Sequence, residues 1–181
     1  MLTQALLDEL EWRHFEMLVA GYFAKAGLTA KRKKVGVDGA VEFYLNRRGA
    51  DKPEAFVHCK ASPAFRVSPK VVREVFSVIT EEKIAEGFCV STNWFTLEAM
   101  EFATGKPLTL IAGADFLNRF GALEPADRLS LLKEVTADDY ITPTCPMCAV
   151  KMVLRKGNKP VWGCPNHPRC YATMPVRTAA A

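Results

Sequence analysis

Three polar side chains in the first half of the chain are spaced so that they could act together on a phosphodiester. Residues 41–45 and 55–60 both alternate in polarity, as β-strands do, and a polar turn between them predicts a hairpin. If the polar faces of the two strands coincide, Glu42, His58 and Lys60 meet over one patch. A carboxylate and a lysine placed in this way can bind a divalent metal and stabilise a scissile phosphate. The alternative is a solvated cross-strand ion pair.

Four of the six cysteines form two pairs near the end of the sequence. Cys145 and Cys148 enclose one short turn, and Cys164 and Cys170 follow after fifteen intervening residues. Four thiolates from two turns can surround one tetrahedral Zn²⁺, which supplies folding energy to a small module. The alternative is two disulfides, although a reducing cytoplasm disfavours them. His167 could replace one ligand, but with four cysteines present we expect it to stay on the surface.

Apolar periodicity predicts the elements that position these groups. A helix over residues 6–26 precedes a strand over residues 28–35 and then the hairpin. Further helices are predicted at 69–83, 97–104, 114–120 and 123–135, and further strands at 87–91 and 107–112. This order predicts an α/β fold with a mixed sheet covered by helices on both faces.

The composition also suggests how the chain divides into domains. We predict a first domain over 1–122, a helical linker over 123–143, a small zinc ribbon over 144–176 and a disordered tail over 177–181. No apolar run approaches the ~20 residues of a membrane span. The first residues lack the basic start of a signal peptide, so we expect a cytoplasmic protein without a membrane partner.

Charge is distributed unevenly along the chain. The net charge is +4, and residues 141–181 contain six basic residues and no acidic one. A second basic run covers residues 31–34. Basic surfaces of this kind suit a polyanion, most simply a nucleic acid, although charge for solubility alone is the alternative.

The cysteine-containing segment resembles the C4 zinc finger found at the C-terminus of type IA DNA topoisomerases. The matching stretches are 145–148, 152–155, 161–164 and 166–170. The resemblance implies a zinc ribbon that binds DNA, often single-stranded. Trp162 and Tyr171 would then stack on bases, and the basic residues would meet phosphates. The alternative for Trp162 is packing within the small core. The implied phosphate contacts are Arg155, Lys156, Lys159 and Arg169.

Residues 11–120 resemble the Mrr-like restriction endonuclease domain, a branch of the PD-(D/E)XK nuclease superfamily. Residues 36–42 match the family's Asp-Gly-Gly-Ile-Asp segment, and residues 57–60 match its Val-Gln-Cys-Lys. Further matching segments are 12–16, 21–27, 88–91, 94–96, 98–99 and 102–103. The resemblance implies a restriction-endonuclease-like sheet flanked by helices, with Mg²⁺ or Mn²⁺ at the catalytic site. Because many nucleases of this superfamily cut duplex DNA as dimers, it is also compatible with a homodimer.

This second resemblance implies a role for five residues. Glu42 would hold the catalytic metal, Lys60 would be the catalytic lysine, Glu16 an acid on the first helix and Asp38 a nearby second acid. Two positions depart from the family pattern, because Glu42 stands where Asp is usual and His58 where Gln or Glu is usual. An imidazole nitrogen binds manganese, nickel or cobalt more readily than magnesium.

Three hypotheses follow from the sequence. The first is a metal-dependent endonuclease that hydrolyses duplex or single-stranded DNA, with the ribbon as an auxiliary DNA-binding module. The second is a catalytically degenerate nuclease fold that acts as a DNA-binding protein, which the two departures favour. The third is a protein-interaction role for the ribbon without nucleic acid.

Overall fold

A five-stranded mixed sheet lies at the centre of the computed structural model, which describes residues 1–36, 39–61 and 66–176. Its strands are β1 (Leu28–Val35), β2 (Val41–Arg47), β3 (Ala55–Lys60), β4 (Glu86–Ser91) and β5 (Leu108–Ile111), and they lie in sequence order. The pairs β1–β2 and β2–β3 are antiparallel, whereas β3–β4 and β4–β5 are parallel. The predicted mixed α/β sheet is therefore confirmed.

Helices cover both faces of this sheet. One face packs against α2 (Trp12–Lys25) and α5 (Gly113–Gly121), and the other against α3 (Pro69–Glu81) and α4 (Leu97–Ala103). The short helix α1 (Gln4–Glu9) lies against α5. Among the described residues, no helix combines the length and the apolar composition that a membrane span needs.

The hairpin of β2 and β3 separates its side chains between two hydrophobic clusters. Val41, Phe43 and Leu45 are fully buried in the cluster on the α2 side. Phe56 is buried in the cluster that α3 and α4 cover. The period of two in the sequence produces this division, because successive side chains of a strand point to opposite faces. Glu42 and His58 consequently lie on the face of α3 and α4.

The first predicted helix is wrong in one respect, because residues 6–26 form two helices rather than one. The chain is extended at Glu11, which caps α2 by accepting a hydrogen bond from the backbone N–H of Arg13. Thr3 caps α1 in the same manner. Apolar periodicity does not reveal the break, because Leu10 and Trp12 on either side of it are both buried. The cause is tertiary: the carboxylate of Glu11 is engaged by distant residues.

The helix α6 (Pro125–Val135) connects the two parts of the chain and packs against α2. Leu131 and Val135 belong to the same hydrophobic cluster as the centre of the sheet. A methyl group at Gly21 would come within 2.4 Å of Leu131 Cδ2, so the two helices are in close contact. The segment predicted as a helical linker therefore contributes to the core.

A second, three-stranded antiparallel sheet follows, made of β6 (Val153–Arg155), β7 (Val161–Gly163) and β8 (Thr173–Pro175). Met152 and Met174 bury their side chains in the cluster that also contains Trp12. The small sheet is thus packed onto the larger domain. The tail at 177–181, predicted to be disordered, lies outside the described residues.

Candidate active site and metal centre

The register of the hairpin brings Glu42 and His58 side by side. Their Cα atoms are partners across β2 and β3, and Glu42 Oε1 lies 3.8 Å from His58 Nδ1. Lys60 follows two residues later and shares the face of His58. All three side chains line one cleft of about 280 Å³ between the sheet and α3, hereafter the cleft.

Three further charged residues line the cleft, and the sequence analysis proposed none of them as a site residue: Lys34, Lys70 and Glu74. Lys34 is there because of a β-bulge. Arg32 pairs with Phe43 and Lys34 with Glu42, so the ladder skips the residue between them. Lys70 and Glu74 lie one turn apart on α3. The basic run was visible in the sequence, but the bulge that directs one member into the cleft was not.

Electrostatics keep the Glu42 carboxyl ionised. The adjacent His58 ring holds the pKa of Glu42 below its ordinary value of 4.5, and Lys34 and Lys33 contribute while burial opposes the shift. The side chain is about three-quarters buried, with 24% of its surface exposed. The cleft therefore presents a largely buried anion near several cations at neutral pH.

This donor set fits a divalent ion. Two ligand atoms bound to one ion at about 2.1 Å each are about 3 to 4 Å apart, and the distance between Glu42 Oε1 and His58 Nδ1 is 3.8 Å. One carboxylate and one imidazole form a mixed set that suits Mn²⁺ or another transition metal better than Mg²⁺.

Glu16, one of the other two predicted acids, does not line the cleft. Glu16 lies on the α2 side of the sheet, where it is buried near Cys59. Arg32 donates two hydrogen bonds to its carboxylate, at 2.7 and 2.5 Å. Asp38 lies outside the described residues. The position of Glu16 follows from its place in the helical period beside Phe15, which faces the core.

The four C-terminal cysteines converge at the base of the small sheet. The Sγ atoms of Cys145, Cys148, Cys164 and Cys170 all lie within 4.8 Å of one another, and those of Cys145 and Cys170 are 3.8 Å apart. A tetrahedral zinc with bonds of about 2.3 Å places its sulfurs about 3.8 Å apart, so the cluster fits Zn²⁺. All four are free thiols. His167 contacts Tyr171 instead, with 5.0 Å between the ring centroids.

The ribbon residues predicted to bind DNA differ in how far their side chains are exposed to solvent. Tyr171 is 74% exposed, whereas Trp162 is half-buried and packs against the main hydrophobic cluster. Arg155 donates a hydrogen bond to the carbonyl of Cys164 (3.0 Å) and lies across Gly163, so it also supports a cysteine turn. The remaining cations are exposed: Lys156, Lys159 and Arg169.

A buried carboxylate, which the sequence analysis did not single out, joins the ribbon to the first domain. Glu11 is fully buried. It accepts hydrogen bonds from the backbone N–H and the hydroxyl of Thr144, at 3.2 and 2.8 Å. His14 Nδ1 lies 3.0 Å and Lys151 Nζ 3.4 Å from its Oε1. The other ring nitrogen of His14 lies 2.8 Å from Asp138 Oδ1, so one network spans α2, the connecting segment and the ribbon.

A second contact links the ribbon to the segment before β2. The indole N–H of Trp12 donates to the carbonyl of Thr144 at 2.7 Å. Gly39 adopts a positive φ of 77°, and a methyl group there would come within 2.9 Å of both Trp12 and Met174. The segment that leads to Glu42 is therefore in direct contact with β8.

This chain is similar to a known protein family and to several solved structures. The sequence matches the restriction endonuclease family Mrr_cat over residues 7–120. Among solved structures, the DNA modification-dependent restriction endonuclease AspBHI has a TM-score of 0.47 and 19% identity over 74% of this chain and 40% of its own. The MspJI restriction endonuclease, in complex with a 27-mer oligonucleotide, has a TM-score of 0.43 and 22% identity over 76% of this chain and 33% of its own. The chain therefore spans less than half the length of either enzyme. A search of curated proteins finds no match. Since the family match covers more than half of the sequence, the chain belongs to the Mrr_cat family of restriction endonucleases.

Proposed function

We propose that the protein is a divalent-metal-dependent endonuclease that hydrolyses DNA phosphodiester bonds. The observation that carries the proposal is the register of β2 and β3, which brings Glu42, His58 and Lys60 into one cleft. Membership of a restriction endonuclease family supports the same reaction class.

Five residues of the cleft have a role in this proposal. Glu42 and His58 would hold the ion, because their carboxylate and Nδ1 face each other. When bound, such an ion polarises the phosphate and lowers the pKa of its water. Lys60 stabilises the charge that develops on the non-bridging oxygens. Lys34 and Lys70 attract the DNA backbone to the cleft.

The ribbon contributes a second DNA contact in this proposal. Zn²⁺ bound by the four cysteines stabilises its fold. Tyr171 offers an exposed aromatic face to a base, and Lys156, Lys159 and Arg169 offer charges to the backbone. A tethered second contact raises the effective concentration of DNA at the cleft. The cytoplasmic location and a homodimer stay predictions.

A catalytically degenerate DNA-binding protein is the second candidate. The position of Glu16 favours it, because this acid pairs with Arg32 on the α2 side of the sheet and does not line the cleft. His58 in place of a carboxylate or amide favours it too. This candidate requires DNA binding without hydrolysis under any metal.

The test is cleavage of plasmid and single-stranded DNA by the zinc-loaded protein, with Mg²⁺ and Mn²⁺ in parallel. Lys60→Ala should lower the cleavage rate about 100-fold or more, because a preorganised charge at the reacting phosphate is lost. Lys52→Ala is the matched control, since Lys52 lies in the exposed turn of the same hairpin. We expect both variants to keep similar DNA affinity.

Two results would decide against the nuclease assignment. Cleavage retained by Lys60→Ala would remove the cleft as the catalytic site. Absence of cleavage by the unmodified protein with either metal, together with intact DNA binding, would establish the second candidate instead.

A further inference from the structure

One large aromatic side chain near the cleft is exposed to solvent. Trp94 lies in the loop between β4 and α4, residues 92–96, and 59% of its surface is accessible. Tryptophan is highly buried on average, and burying a side chain of this size stabilises a fold. Packing in the core therefore does not account for this residue, and a contact with another molecule would.

The topology brings Trp94 to the edge of the sheet where Lys60 lies. β3 and β4 are parallel and Lys60 is the Cα partner of Ser91, so both strands end at this edge. The backbone N–H of Val67 donates a hydrogen bond to the carbonyl of Trp94 at 2.9 Å. Val67 and Lys60 together line a cavity of about 220 Å³, and Lys60 also lines the cleft. The loop that contains Trp94 therefore borders the proposed catalytic site.

Hydrogen bonds hold the backbone on both sides of Trp94. The N–H of Trp94 donates to the side-chain oxygen of Asn93 at 2.7 Å, and the N–H of Asn93 donates to the hydroxyl of Ser91 at 3.1 Å. The N–H of Thr96 donates to the carbonyl of Val67 at 3.0 Å. The indole ring is thus carried by a fixed backbone.

The start of the loop is held from another direction. The carbonyl of Thr92 accepts a hydrogen bond from the side chain of Gln4 at 3.0 Å. A methyl group at Gly113, the first residue of α5, would come within 2.3 Å of the same oxygen. A ligand of Trp94 does not have to order this loop, so little binding free energy is lost to conformational entropy.

The charges around Trp94 indicate which kind of molecule it contacts. The neighbouring ring of Phe95 is buried and lines the same cavity as Lys60 and Arg66, and none of the described lining residues of that cavity is acidic. An exposed tryptophan is also typical of protein interfaces. Two cations beside an aromatic ring favour nucleic acid instead, because the cations neutralise phosphates and the ring stacks on a base.

We propose that Trp94 stacks on an unpaired DNA base next to the phosphate that binds in the cleft. The protein would then prefer DNA with unpaired bases at the site of hydrolysis. The proposal rests on the proposed function, because it assumes that DNA occupies the cleft. In an intact duplex the neighbouring bases cover each base face, and uncovering one costs free energy. Single strands and loops offer a base face without this cost.

Trp94→Ala tests the stack through the affinity for a single-stranded oligonucleotide, measured by fluorescence anisotropy on the full-length, zinc-loaded protein without a catalytic metal. We expect a fall of about 10-fold, as for the loss of one base stack, and Trp94→Phe should stay within about 3-fold of the unmodified protein because its ring still stacks. Leu129→Ala is the control, since it removes a 70% exposed apolar side chain from α6, which packs against α2. Equal affinities of Trp94→Ala and Leu129→Ala would overturn the proposal.

Duplex DNA and salt distinguish a base contact from a backbone contact. On a blunt duplex Trp94→Ala should lose less than about 2-fold, because no base face is free. Loss of a phosphate contact changes the slope of log affinity against log salt by about 0.7 on single strands, whereas loss of a neutral stack leaves the slope unchanged. An equal loss on both kinds of DNA, or a slope change of this size, would refute base stacking.

The stack and the nuclease activity fail separately, because the affinity is measured without the catalytic metal. If Trp94→Ala loses affinity and the unmodified protein does not cleave DNA, the base contact stands and the nuclease assignment falls. If Lys60→Ala abolishes cleavage and Trp94→Ala binds like Leu129→Ala, the nuclease assignment stands and the base contact falls.

Discussion

Replacing Glu11 should destabilise the whole protein, because this residue joins the first domain to the ribbon. Its carboxylate is fully buried, and it contacts Thr144, His14, Arg13 and Lys151 at distances from 2.8 to 3.4 Å. Glu11→Ala removes the acceptor that these donors share. Because the donors of Thr144 and His14 stay buried, their lost hydrogen bonds are not replaced by bonds to water.

The magnitude follows from the type of contact. Removing one member of a buried charged network costs about 3 to 5 kcal/mol. The lower value applies here, because Lys151 also donates to the carbonyls of Asp139 and Thr142, at 2.5 and 2.8 Å, and so keeps partners. A loss of about 3 kcal/mol in a chain of this size corresponds to a fall in melting temperature of about 6 to 12 °C.

The assay is thermal and urea unfolding followed by circular dichroism. Glu9→Ala is the control, since Glu9 is an exposed glutamate at the end of α1 and its replacement should change stability by less than about 0.5 kcal/mol. Glu11→Gln should fall between the two, because the amide keeps one acceptor oxygen. If Glu11→Ala unfolds within 1 kcal/mol of Glu9→Ala, the network does not hold the ribbon to the first domain, and the reasoning fails.

Two further predictions concern the ribbon and the edge of the sheet. Tyr171→Ala should keep one zinc per chain and lose about 1 to 3 kcal/mol of single-stranded DNA affinity, measured by fluorescence anisotropy. Trp162→Ala should instead weaken zinc retention, measured by metal analysis, because the Trp162 ring packs against the main hydrophobic cluster. The reverse pattern would contradict the assignment. Lys33 holds the pKa of Glu82 below its ordinary value of 4.5 through a 2.7 Å ion pair. Since the folded pKa is the lower one, Glu82→Gln should reduce the melting temperature above about pH 4.5, and the difference should fade as pH falls toward 3; a constant difference would refute it.

The hairpin is predictable from sequence because its signal is local. Val41, Phe43 and Leu45 alternate with polar residues, and one buried face requires one register. That register alone brings Glu42 opposite His58. The prediction of β1 has a weaker basis, because residues 31–34 are all basic and only the turn at Gly36 marks the end of the strand.

The features that sequence reasoning missed depend on tertiary contacts. The bulge that places Lys34 in the cleft has no signature in the basic run, because any of its four residues could occupy the skipped position. The break between α1 and α2 follows from Glu11 bonding to residues more than 130 positions away, including Thr144. The resemblance to topoisomerase zinc fingers implies that Arg155 contacts DNA phosphates, but its guanidinium also lies across a cysteine turn.

The contact of Gly39 with Trp12 and Met174 has a thermodynamic consequence. This contact ties the segment before Glu42 to β8, so unfolding of the ribbon removes packing from both. When two ligands stabilise the same cooperative fold, each raises the affinity for the other by the same factor. Zinc bound by the cysteines would therefore stabilise the first domain, and a ligand bound in the cleft would in turn raise the affinity of the cysteines for zinc. The affinity of the ribbon for zinc would thus report on ligand binding at a cleft that is lined by none of the four cysteines.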